Sequence, residues 1–161
     1  MGLHYVIPFS DVATGAVADT FKTLAAAQAG DTAGYRFRLR RLAVGPADGA
    51  PLDKTVSLQL KRIDDVSAGG AGTKTSVTPE PKDSLQRAAV CTGGENYTAE
   101  PTTYNSERLW EIGLNARASV IKEWDPEDAP VANRDQLIGL LAAPQSADAI
   151  TLSGSLEIEE F

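Results

Sequence analysis

The sequence holds one cysteine, Cys91, and one histidine, His4. A lone cysteine excludes an intrachain disulfide and any cysteine-based zinc cluster, so packing and partners must supply the stability. With one histidine, any Ser-His-Asp or Cys-His arrangement would depend on His4, and no G-x-S-x-G elbow accompanies it. His4 reads as a surface or edge-strand residue. Cys91, in "AAVCTGG", reads as a small buried hydrophobe at a strand end. No run approaches the roughly eighteen apolar residues of a membrane span. The opening "MGLHYVIPFSDV" lacks the basic start and long apolar stretch of a signal peptide, so synthesis in the cytoplasm is expected. Positive charge is scarce as well. Against 22 Asp and Glu stand 15 Lys and Arg, a formal net charge of -7 that opposes attraction to phosphate backbones. Neither nucleic acid nor membrane is an expected partner.

What is present points to one packed domain over residues 1–161. Its 42% hydrophobic and 23% charged residues match ordinary globular chains and make wholesale disorder improbable. The clearest periodicity is two. In "YRFRLRRLAV", Tyr35, Phe37 and Leu39 alternate with Arg36, Arg38 and Arg40, and the doubled Arg40-Arg41 shifts the phase to Leu42 and Val44, as a β-bulge would. "KTVSLQLKRI" alternates through Val56, Leu58 and Leu60, with a second slip expected at Lys61-Arg62 before Ile63. Two neighbouring strands with matched slips would bend together. "LWEIGLNARASVI" alternates from Trp110 to Val120 and is expected to be one long strand bent near its middle. In the closing run Ile150, Leu152, Leu156 and Ile158 oppose Thr151, Ser153, Ser155, Glu157 and Glu159. That is a core strand with one wet face, whose partners lie earlier in the chain. "GAVADTFKTLAAAQAG" carries mixed signals, Ala-rich helix propensity against Thr20, Phe21 and Thr23, and is read as a strand. Between the ladders lie "GPADGAPLD", "SAGGAGTKTSVTPEPKD", "CTGGENYTAEPTTYN" and "WDPEDAPVANRD", rich in turn-forming residues and read as loops. Strand and turn at short intervals predict an all-β, antiparallel sandwich or jelly roll and disfavour an alternating βαβ fold.

Patterns that carry chemistry are few. "SAGGAGTKTS" has the glycines and following Lys74 of a phosphate loop, but neither the G-x-x-x-x-G-K-[ST] spacing nor a helix after it, and reads as a surface loop. Asp125, Glu127 and Asp128 in "WDPEDAP" have no EF-hand spacing and read as solvated turn carboxylates. Glu111, Glu157 and Glu159 sit on polar strand faces, and glycosidase work would require them to share a concave pocket. No catalytic residue, cofactor or metal is expected, and the chain is read as non-enzymatic.

Two stretches carry a family likeness: "VSLQLKRIDDVSAGGAGTKTSVTPEPKD", and "LIGLLAAPQSADAITLSGSLEIEE" with its Ala143, Pro144, Ala147, Asp148, Thr151, Leu152, Ser153, Gly154, Leu156, Glu159 and Glu160. They resemble small tailed-phage virion proteins of the capsid decoration or cement type, with a "T-P-x-P" turn mid-chain, here Thr78 to Pro81. The resemblance covers roughly the C-terminal two-thirds. It implies a jelly-roll β-sandwich on the outer surface of a phage head, a homotrimer that binds the major capsid protein and bridges capsomers. Competing readings are another virion part, such as a head-fibre base, neck or tail protein, or a carbohydrate-binding jelly-roll module. The module would need an aromatic platform of Trp124 with Tyr97 or Tyr104. In a symmetric oligomer, Arg36, Arg38 and Arg40 of one copy would meet Glu157, Glu159 and Glu160 of the next, with Phe161 in the seam. The competing arrangement is cross-strand ion pairs within one sheet. Trp124, Tyr97 and Tyr104 are candidate interface anchors with core packing as their default, and Trp110 falls in the core phase.

Overall fold

A computed structural model describes residues 2–30, 34–47, 53–102 and 104–161. In chain order its elements begin with β1 (Leu3–Ala13), β2 (Lys22–Gln28), β3 (Phe37–Pro46) and β4 (Thr55–Ile63). An excursion follows, with the short helix α1 (Val66–Gly69) and strands β5 (Thr73–Val77), β6 (Glu80–Pro81) and β7 (Thr92–Ala99). The chain closes with β8 (Arg108–Asn115), β9 (Val120–Glu123), β10 (Val131–Ala132), β11 (Leu137–Pro144) and β12 (Thr151–Glu160).

The pairing is nested and antiparallel. β1 pairs with β12, β2 with β11, β3 with both β9 and β10, and β4 with β8. A long hairpin paired this way cannot stay flat, because its apolar residues lie on one face; it rolls until that face closes on itself. Two sheets result, one ordered β10-β3-β12-β1-β6 with β9 beside β3, the other β5-β7-β2-β11-β4-β8. The eight strands β1-β12-β3-β9 and β2-β11-β4-β8 form a jelly roll, as the alternating sequence predicts. Inward side chains such as Ile7, Leu39, Leu58, Leu140 and Leu156 fill one core between the sheets. The excursion between β4 and β8 runs back to the opposite side, where β6 extends the first sheet and β7 with β5 extends the second.

The slip at Arg40 is a bulge, since Leu39 faces Ile158 and Arg41 faces Glu157, leaving Arg40 over. The slip expected before Ile63 appears only in the ladder to β8, where the register shifts between Leu60 and Lys61 and the extra residue, Leu109, belongs to β8. β4 pairs with β11 without interruption from Val56 to Ile63, so Ile63 keeps the alternation and points outward. It is nevertheless buried, because α1 and β7 cover that side; Ile63, Ala26, Val66, Tyr97 and Leu137 make a second apolar cluster. All eight residues of β11 are buried in consequence. β3 and β4 are not the expected neighbours, for they belong to opposite sheets. "LWEIGLNARASVI" is likewise two strands, one in each sheet. The Asn115 side chain accepts from the Arg117 amide at 2.9 Å while its carbonyl accepts from the Ala118 amide at 2.8 Å, a turn that ends β8. Trp110 is partly buried against the core. Tyr35 precedes β3 and is exposed, despite its alternation with Phe37.

"GAVADTFKTLAAAQAG" contains strand β2, and its alanines suit both surroundings. Ala25 and Ala27 face the main core, and Ala26 faces the second cluster. Two segments read as loops are strands: "TKTSV" is β5 and "TGGENYTA" is β7. Their glycines meet a packing demand. A Cβ on Gly93 would come within 2.7 Å of Ile7 Cγ2 and 2.8 Å of the Val77 carbonyl, so only glycine lets β7 lie this close. "GPADGAPLD" lies largely outside the described residues.

On the outer face of the second sheet, a Cβ on Gly139 would overlap the Tyr104 hydroxyl, which lies 3.1 Å from the Thr23 hydroxyl. Thr23 donates to Glu100 from its amide at 2.9 Å and its hydroxyl at 2.5 Å. Gly139→Ala should therefore lever Tyr104 off the sheet, costing about 1–3 kcal/mol by urea denaturation. Gly113→Ala, where an added Cβ meets nothing within 4 Å, should be close to neutral.

Candidate functional site

The polar face of the first sheet gathers most of the residues singled out in the sequence. Period two places Arg36, Arg38 and Arg40 outward on β3 and its approach, and the bulge turns Arg41 to the same side. Glu157 and Glu159 point outward from β12, and His4 does so from β1. The register sets Glu159 across from both Arg38 and His4, and Glu157 across from Arg41.

These charges pair within one chain. Arg38 grips both oxygens of Glu159 with Nε at 3.0 Å and Nη2 at 3.2 Å, a two-point contact that fixes the guanidinium plane. Arg40 Nε stands 3.8 Å from the same carboxylate. Arg41 Nη1 reaches Glu157 at 2.6 Å, its Nε lies 3.2 Å from Glu123, and Lys82 donates to the second oxygen of Glu157. Burial by itself would push the Glu157 carboxyl up, but the hydrogen bonds from Lys82 and Arg41 outweigh it and hold the group below the usual carboxylate range. Phe161 continues the ladder by donating its amide to the Arg36 carbonyl at 3.0 Å. Its ring lies 4.6 Å and 4.5 Å from the Arg36 and Arg38 guanidinium carbons.

The turn "WDPEDAP" leaves the sheet opposite the bulge. The Trp124 amide donates to the Arg40 carbonyl at 3.0 Å, and the Leu39 amide donates to the Pro130 carbonyl at 2.9 Å, so β9 and β10 lie end to end along β3. Arg38 Nη1 anchors the turn through the Pro126 carbonyl at 3.1 Å. Trp124 is partly buried, with the Lys122 ammonium 5.4 Å from its ring centre. His4, Arg40, Arg41, Lys82, Trp124 and Asp125 surround a groove of about 350 Å³ floored by Glu157.

Glu160 stands apart from its expected neighbours. It occupies the inward phase after Leu156 and Ile158, and only 3% of it is exposed. Its carboxylate closes one end of the core, accepting the Val90 amide at 2.8 Å, the Cys91 amide at 2.7 Å and Arg87 Nη2 at 2.8 Å. Burial and this neighbouring carboxylate push the Cys91 thiol up, consistent with an inert buried cysteine.

Tyr97 and Tyr104 lie with the second sheet, far in the topology from Trp124. Tyr97 is buried in the second cluster, and burial raises the pKa of both phenols. The three aromatics do not share a face. Glu111, on β8, accepts from Gln59 Nε2 at 2.7 Å and from Arg108, so it shares no pocket with Glu157 and Glu159 on the first sheet. Sequence reasoning missed Arg41, Lys82 and Arg87 as partners of the glutamates. The doubled arginine at the bulge was the available signal for Arg41; nothing local marks the other two, which arrive from the excursion.

No family model matches the chain, and no curated protein matches it. Among solved structures it is similar to that of Cocksfoot mottle virus, with 9% identity, a TM-score of 0.33, and coverage of 97% of this chain and 91% of that one. The jelly-roll assignment rests on the strand pairing itself.

Two outcomes follow from the paired carboxylates. Because the folded pKa of Glu157 lies below its ordinary value of 4.5, its contribution is complete above that pH and fades as pH falls toward the folded value. The stability gap between wild type and Glu157→Gln, measured by denaturation across pH, should narrow below about 4.5. Glu160→Ala strands two backbone amides and Arg87, and should cost about 3 kcal/mol; an unchanged unfolding midpoint would show that the carboxylate does not close the core.

Proposed function

We propose that this chain is a virion structural protein, one whose work is assembly and contains no reaction. Within that class, the reading is a decoration or cement protein that binds the outside of a tailed-phage head as a homotrimer and bridges capsomers of the major capsid protein. The observation that carries it is where the family-like residues fall. "APQSADAITLSGSLEIEE" spans the end of β11 and all of β12, the strand at the centre of the first sheet, and "TPEP" makes the corner that lays β6 against β1. The likeness thus coincides with the structural spine. Supporting it, Glu111 lies on the opposite sheet from Glu157 and Glu159, which are held by ion pairs to the arginines of β3.

The docking face is the outer surface of the first sheet. Its ion pairs are already made inside one chain, so the face is rigid before any partner arrives and little side-chain entropy is lost on binding. Exposed apolar residues flank the network, Ile121 on β9 at 60% and Phe161 at 39%. Arg36, Trp124 and Phe161 supply the aromatic and guanidinium contacts that commonly anchor interfaces. Head binding adds contact area that exists only in the assembled shell, so mass action stabilises the shell against internal pressure. The sugar-binding alternative loses its platform, since neither Tyr97 nor Tyr104 stands beside Trp124.

The test is co-sedimentation of the purified chain with phage heads stripped of their accessory proteins. Saturable binding and raised resistance of the heads to heat are expected. Ile121→Asp with Phe161→Ala should reduce binding at least about tenfold while the chain stays folded, losing about 1–2 kcal/mol with the ring's two guanidinium contacts. Binding that is absent, or untouched by both changes, would overturn the reading. Light scattering of the free chain should give three times the monomer mass.

A further inference from the structure

The excursion that closes the roll also holds a cation that meets no counter-charge among the described residues. Lys74 sits on β5, at the edge of the second sheet, and its stem lies across β7. A Cβ on Gly94 would overlap that stem, so the glycine clears its path and fixes its direction. At the far end Nζ reaches Gln28 Oε1 at 3.4 Å, near the limit of a hydrogen bond. Among the described residues no carboxylate pairs with it. An ammonium carries three donors, and a single long contact to a neutral amide leaves most of that capacity unused. Burial lowers the Lys74 pKa, with no neighbouring charge opposing the effect.

Beside this ammonium lies a cavity of about 400 Å³ of mixed lining, polar at Gln28, Lys74, Ser76, Thr78 and Thr92 and apolar at Val77, Pro79, Ala89 and Cys91. A half-buried cation costs free energy unless something compensates it, and in a chain of net charge -7 acids were plentiful enough to have been placed there. The cavity instead offers three hydroxyls, groups that donate to an anion without competing for the lysine. We infer that this cavity is a binding site for a small oxyanion, a phosphate or carboxylate group, with Lys74 as its charge partner and the hydroxyls of Ser76, Thr78 and Thr92 as its further donors. The site is independent of head binding and stands on the opposite sheet from the docking face.

The experiment is a titration of the full chain, followed by amide NMR, with inorganic phosphate and separately with acetate, each replacing chloride at constant ionic strength. Saturable shifts at Lys74, Ser76, Gly93 and Gly94 are expected with at least one anion, and the tighter of the two identifies the group. Lys74→Met should weaken binding at least about tenfold, and Lys74→Arg should retain most of it. Because Lys74→Met removes a poorly compensated, half-buried charge, its thermal midpoint should be unchanged or higher. Thr92→Val gives a second reading and should weaken binding severalfold even if the lysine variant fails to fold. Shifts that do not saturate, that scatter over the surface cations, or that persist in both variants would overturn the inference.

Discussion

The structure depends on β12 making two ladders at once. This strand lies between β1 and β3, and each of its edges is hydrogen-bonded to a segment more than a hundred residues away. Its inward residues are the floor of the core and its outward glutamates are the fixed points of the ion-pair face. The bulge at Arg40 is a local adjustment of this register. By inserting one residue into β3 it brings Arg41 opposite Glu157 while Arg38 stays opposite Glu159, so both acids find a guanidinium. The charges follow the backbone geometry and do not direct it.

The second sheet solves a different problem. Open sheets expose edges and outer faces, and a small sandwich loses stability to both. Here the segment from α1 to Tyr104 covers the outer side of β11, β2 and β4, while β6 and β7 extend the sides beside β1 and β2. The cover explains why β11 is buried on both faces and why residues as small as Ala26 and Gly139 stand where a longer side chain would be expected outward. It leaves the two sheets unequal. One is sheathed in backbone, and the other presents charge to solvent.

Period two made the roll legible wherever one face met solvent: β3, β4 as far as Leu60, β8 and β12 could be read directly. It failed where both faces were covered. Ile63 looked like a change of phase because its outward position is buried, and β5 and β7 looked like loops because their Gly and Thr satisfy tight packing and not strand propensity. Glu160 was placed with its acidic neighbours by chemistry when the alternation had already assigned it inward. The break between β8 and β9 depended on one side-chain turn at Asn115, which alternation cannot register. For the candidate site, the arginines and Glu157 and Glu159 were visible as a stripe. Their mates from the excursion were not, since pairing across seventy residues leaves no local trace.

A central strand that comes last in the fold has a temporal consequence. Until residues 151–160 have left the ribosome, β1 and β3 have no common neighbour, and until residues 137–144 have done so β2 and β4 lack theirs, so early pairing is confined to ladders such as β2 with β7 and β4 with β8. Both sheets therefore close only when β11 and β12 arrive, and long-range pairing of this kind slows folding and leaves strand edges open to mispairing in the meantime.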